Sequence, residues 1–125
     1  MTTTTKKYRT LTLAQLQNAK ACQSQRDLFH EMFDESVKVT IELASDHAQK
    51  FNCFWAAEHF LRPEGFTRFN AIVARADRKR LRAVKDARGE LCRVPTHINA
   101  TILRQHEQTI ARAFARLYIA EGGDS

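Results

Sequence analysis

Eight residues carry the side chains from which metal sites, thiol chemistry and imidazole catalysis are built: His30, His47, His59, His97 and His106, with Cys22, Cys53 and Cys92. Their spacing assembles no site. Zinc needs ligand pairs held close together on one loop or helical face, as in Cys-x-x-Cys or His-Glu-x-x-His. Here His97 and His106 are nine residues apart and Cys53 and His59 six, so no metal is expected. Ser45, Asp46 and His47 spell the letters of a catalytic triad, but consecutive helical residues diverge by about 100° and cannot pass a proton along a line. Glu31, Asp34 and Glu35 gather at the end of a helix, where a solvated loop is the simpler expectation than a paired acid and base. Cys22 opens a helix without a basic activator beside it and reads as a packed thiol, not a nucleophile. With no glycine-rich phosphate loop either, the residues point away from an enzyme and from any cofactor.

The remaining chemistry is cationic. RADRKRLRAVKDAR, residues 75–88, carries seven basic side chains in fourteen positions. At 100° per residue Arg75, Arg78, Lys79, Arg82 and Lys85 fall within an arc of roughly 120°, while Phe69, Val73, Ala76 and Val84 project from the other side. Arg80 is expected on the side opposite the five. An ordinary solvated face interleaves carboxylates at i±4, whereas Asp77 and Asp86 are expected at the edge of the arc or beyond it. The whole chain has a formal net charge of +6. Eight basic residues between Arg75 and Arg93 face only Asp77, Asp86 and Glu90, a local balance of +5. Such a charge favours nucleic acid, or an acidic or nucleic-acid-bound protein complex, as partner. Phe51, Phe54, Trp55 and Phe60 could stack bases, but they sit in the most apolar segment and read as core, with Trp55 packed on Phe51 and the last helix.

These side chains need helices to position them. At 125 residues and 43% hydrophobic content the chain suits one compact domain, residues 10–121, between loose segments 1–9 and 122–125. Thr10 or Thr12 can cap a short first helix through Ala21. Leu28, Phe29, Met32 and Phe33 make an apolar stripe on a second. Val37 and Val39 alternate as in a strand, then Thr40 can cap a helical pattern at Ile41, Ala44, Ala48 and Phe51. Asn52 can cap a fourth, whose Phe54, Trp55, Ala57 and Leu61 place it centrally. Arg62-Pro63-Glu64-Gly65 breaks the chain before a long basic helix near residues 66–88, in which Phe66, Phe69, Val73, Ala76, Leu81 and Val84 form the apolar pattern, stopped by Gly89. Thr96 can cap a long last helix near 96–120. The class is all-α, a bundle of about five helices. MTTTTKKYRT lacks an apolar run and three cysteines are an odd number, so the expectation is a cytoplasmic protein with reduced thiols and no membrane partner.

The segment 21–61 resembles a family of small proteins found in bacterial genomes and their phages, through Ala21, Cys22, Gln25, Leu28, Phe29, Phe33, Ser36, Val37, Val39, Thr40, Ala44, His47, Ala48, Phe51, Trp55, Ala56, Ala57 and Leu61, with a similar ending at Ala113 to Tyr118. The family usually has glycine where Asp34 stands and an acidic residue where Phe54 stands. No activity is established for it, so the resemblance implies a helical fold and a phage or prophage setting and supplies no catalytic residues. Two functions fit. One is a non-catalytic binding protein that engages nucleic acid, or a complex handling it, through the basic helix. The other is an anti-CRISPR-type inhibitor of a host defence nuclease, acting by protein–protein contact.

Overall fold

A computed structural model describes residues 8–91 and 93–122. The architecture is predominantly helical. In chain order, β1 (Arg9–Thr12), α1 (Leu13–Asn18), α2 (Gln23–Phe33), β2 (Ser36–Val39), α3 (Ile41–Asp46) and α4 (Cys53–Phe60) lead into two long helices, α5 (Pro63–Arg88) and α6 (Thr96–Glu121). The short helices begin where side-chain oxygens satisfy orphan N–H groups. Thr12 Oγ1 accepts from Gln15 N at 3.2 Å while Gln15 Oε1 accepts from Thr12 N at 2.8 Å, a reciprocal capping box. Thr40 Oγ1 accepts from Leu43 N and Asn52 Oδ1 from Trp55 N, both at 3.0 Å, as the sequence predicts. At α6 the expectation fails by one residue: Pro95 is the cap, and Thr96 lies inside the helix.

The alternation at Val37 and Val39 is a real strand. It pairs antiparallel with β1 in the register Arg9↔Val39 and Leu11↔Val37, so Leu11 and Val39 are buried while Thr10 and Lys38 face out. Arg9, expected in a loose segment, is therefore fixed. Its guanidinium lies 4.1 Å from the Tyr118 ring centroid and donates to the Tyr118 carbonyl at 3.1 Å, while the Tyr118 hydroxyl donates to Thr10 O at 3.2 Å. Burial pushes the Tyr118 hydroxyl pKa up, partly opposed by Arg9. Residues 1–7 and 123–125 lie outside the described residues.

The core gathers on α6. Its second half buries Ile110, Ala111, Ala113, Phe114, Ala115, Tyr118 and Ile119, and α5, α3 and α4 pack against the helix. Three alanines in five positions let neighbours approach closely, which is why α6 and not α4 is central. Within α4 itself only Ala57 is buried. Trp55 is half-buried: it stacks on His59 at 4.3 Å and meets the edge of Phe60 at 5.5 Å, while Phe51 stacks on Phe33. The expected large burial of Trp55 is corrected to half-burial: its ring stacks on a residue one turn along the same helix, because residues four apart on a helix are neighbours, while the side chain still packs against the core.

On α5 the buried residues Gly65, Phe69, Val73 and Ala76 all lie between residues 65 and 76, and none follows. Its start is capped by the other end of the hairpin: Glu121 Oε1 accepts from Arg62 N at 2.8 Å. A carboxylate is favourable at a helix N-terminus. Gly65 makes room for it, since a Cβ there would collide with the Glu121 carboxylate.

Candidate nucleic-acid interface

Beyond the core, the two long helices continue alone. Between residues 77 and 109 no described residue is buried, so this part of the hairpin is an arm. Half-buried Ala83, Val84, Ile98 and Ile102 line its seam. One polar link crosses it: His106 Nε2 donates to Asp77 Oδ1 at 2.6 Å, with the His106 side chain 8% exposed. That contact turns Asp77 toward α6 and away from the basic helix's outer face.

Arg75, Arg78, Lys79, Arg82 and Lys85 are all exposed. Among the described residues none of the five cations has a carboxylate within 4.0 Å; the contacts of that kind are made by the His106 ring, with Asp77 and Glu107. Two expectations about this face are corrected. Asp86 falls among the cations at 100° per residue, four positions after Arg82, yet forms no ion pair with it. Leu81 is 70% exposed, because its position turns off the stripe of Phe69, Val73 and Ala76.

The arm also holds what spacing alone did not bring together. Arg80 is half-buried and, with Lys79 of α5 and Gln105, Gln108, Thr109 and Arg112 of α6, lines a polar cleft of about 390 Å³. Arg112 Nε donates to Ser45 Oγ at 3.2 Å, which anchors it at the base of the arm. No local pattern ties Arg112 to Arg80, thirty-two residues earlier; only the antiparallel pairing of the helices does. From Arg75 to Gln105 there are nine basic residues against three acidic ones, so this segment carries +6, and the rest of the chain, with eleven of each, is neutral.

Elsewhere the chemistry is sparse. No three His, Cys, Asp or Glu side chains gather as a metal site among the described residues, nor is any helix long and apolar enough to cross a membrane. Cys22, expected to be packed, is exposed at the N-cap of α2. Hydrogen bonds from Ser24 and from the Gln25 backbone hold its pKa below the ordinary 9.0. Burial pushes the Cys53 thiol up to about 12, with the Glu107 carboxylate adding to the rise. Cys92 lies outside the described residues. Comparisons with protein-family models, curated proteins and solved structures found no match.

Proposed function

We propose that the protein is a non-catalytic binding protein whose arm engages the phosphate backbone of a nucleic acid, or of a nucleic-acid-bound complex. The observation that carries this is the confinement of the whole net charge to one exposed segment whose cations have no carboxylate partners. The five cations of the outer face, from Arg75 to Lys85 with Arg80 left out, span about 15 Å at 1.5 Å per residue. One strand of duplex DNA presents a phosphate per 3.4 Å of axis, about four or five over that length. The linear charge densities match. The cleft between Arg80 and Arg112 offers a further anion position on the flank. Contacts of this kind position a backbone without reading sequence. The resemblance of residues 21–61 fits a phage or prophage accessory protein working in a bacterial cytoplasm.

A fluorescent duplex titrated at several salt concentrations tests this. If all five cations meet phosphates, affinity falls about 500-fold between roughly 50 and 200 mM salt, and only about tenfold when three contacts are removed. The triple variant Arg75→Glu, Arg78→Glu and Arg82→Glu should therefore lose most low-salt binding and show the shallower slope. Equal affinity and slope in the two proteins would reduce the arm to a solvated surface.

A second reading rests on Leu81, exposed between Arg78, Lys85 and Arg88 on neighbouring turns. An apolar side chain amid cations suits an acidic protein surface better than bare phosphates, as an inhibitor of a host defence nuclease would require. Leu81→Asp separates the two, since it should disrupt a protein contact far more than binding to a naked duplex.

A further inference from the structure

A guanidinium interrupts the apolar stripe of α5 on the side that faces α6. Phe69, Val73, Ala76 and Ala83 belong to one series of alternating steps of four and three, and the position that completes it between Ala76 and Ala83 is Arg80. Arg80 is half-buried there, with neither a hydrogen bond nor a carboxylate partner among the described residues. Opposite, Ile102, Gln105, Thr109 and Arg112 follow at steps of three, four and three along one side of α6. Ala76 and Ala83 are too short to fill the space between these side chains, and the cleft of about 390 Å³ results. Cations stand on both of its walls, Lys79 and Arg80 from α5 and Arg112 from α6, and among the described residues no Asp or Glu lines it. The Arg112 Nε is committed to Ser45 Oγ, which leaves the two terminal nitrogens of its guanidinium to donate elsewhere. Like charges held in one cleft raise each other's energy, the more so where one is partly withdrawn from water. An anion between them removes that cost.

Charge and volume select among anions. A backbone phosphodiester carries a single charge, whereas a terminal phosphate ester carries about −1.5 to −2 near pH 7 on three acceptor oxygens. Three cationic side chains match the second, and guanidiniums pair with phosphate as a fork. The volume falls within the range of about 300–1,000 Å³ typical of small-molecule sites, so the group that bears the phosphate has room as well. Beside the cations the lining offers uncharged hydrogen-bonding groups. The side-chain amides of Gln105 and Gln108 have no partner among the described residues. The Thr109 hydroxyl donates to Gln105 O at 2.9 Å, which leaves its oxygen as an acceptor.

We propose that the cleft binds a small phosphate monoester, its phosphate between Lys79, Arg80 and Arg112 and its uncharged, hydrogen-bonding body on Gln105, Gln108 and Thr109. Nucleotides and sugar phosphates share this chemistry. The inference rests on the reading of the arm only in taking the cleft as an anion position, and it assigns that position a soluble ligand in place of a backbone phosphate. Lys79 belongs to both the cleft and the outer face, so the test leaves it in place.

AMP and glucose 6-phosphate are the probes, titrated into the full chain by calorimetry near pH 7 in about 150 mM salt, where exposed charges are screened beyond about 8 Å. Inorganic phosphate, adenosine and glucose are the controls, and the ester that binds identifies the body. At least one ester should bind saturably, about tenfold more tightly than phosphate and than its own dephosphorylated form. It should also shift the side-chain amide resonances of Gln105 or Gln108 in NMR spectra, which an anion on the outer face would leave unmoved. Arg80→Gln and Arg112→Gln should each weaken it about tenfold or more, the loss of one charge-assisted pair. The triple variant Arg75→Gln, Arg78→Gln and Arg82→Gln should weaken duplex binding yet leave the ester within about twofold, so the two readings fail separately. Should Arg80→Gln or Arg112→Gln not fold, the ratio of ester to phosphate and the amide shifts decide alone. Neither ester binding more tightly than phosphate, or binding that falls in the triple variant and not in Arg80→Gln or Arg112→Gln, would overturn the proposal.

Discussion

The lobe and the arm are made from the same two long helices by opposite rules. In the lobe, the first half of α5 and the second half of α6 present Phe69, Val73, Ile110 and Phe114 inward and bury them. In the arm, residues 77–109, nothing is buried among the described residues, and eight basic residues against four acidic ones carry +4 of the net charge of +6. Charge concentrates where no core has to desolvate it, since each unpaired ion taken from water costs several kcal/mol. The contrast teaches that a helix is not a functional unit here. Its two halves answer to different neighbours.

The sharpest test of the contrast is a pair of core and arm truncations. Phe69 is 0% exposed and Leu81 70%. Phe69→Ala should cost about 3–5 kcal/mol in denaturant unfolding. Leu81→Ala should stay within about 0.5 kcal/mol. Comparable losses would mean that the arm packs against something and is no arm. A smaller effect is expected at Trp55, which stacks on His59 at the edge of the lobe. With only part of the indole buried, Trp55→Ala should cost about 2 kcal/mol, below the range for a fully enclosed aromatic.

A third pair compares backbone in the two regions. α2 in the lobe ends at Asp34 with φ 62° and ψ −113°, and α5 in the arm ends at Gly89 with φ 52° and ψ −121°. The conformation is nearly the same, and it suits glycine alone. Asp34→Gly should therefore raise stability by about 1 kcal/mol, and Gly89→Ala lower it by a similar amount although nothing lies within 4 Å of the new methyl. Thermal melts of the two variants shifting in the same direction would contradict the backbone argument.

The smallest effect at neutral pH concerns the thiols, whose difference shows first in reactivity. In a Cys92→Ser background Cys22 should be alkylated readily and Cys53 only on unfolding. At high pH the difference becomes energetic. The folded state holds Cys53 at about 12 against an ordinary 9.0. The unfolded chain thus releases a proton that the folded chain keeps, and stability falls as pH rises above about 9. Cys53→Ala should remove that part of the decline, which parallel denaturation curves at neutral and alkaline pH would reveal.

Local pattern alone carried the helical class, the caps at Thr40 and Asn52, the extent of the two long helices, and the outward projection of Arg75, Arg78, Lys79, Arg82 and Lys85. Each depends on residues within a turn or two of one another, where spacing and capping chemistry act directly. Tertiary structure decided the rest. The pairing of Arg9 with Val39, the capping of α5 by Glu121 and the meeting of Arg80 with Arg112 each join elements distant in sequence. The central place of α6 over the more apolar α4 was likewise invisible, because small side chains give no strong hydrophobic signal while permitting the closest packing. Which surface a helix hides is a property of its neighbours, and the chain names those only when it folds.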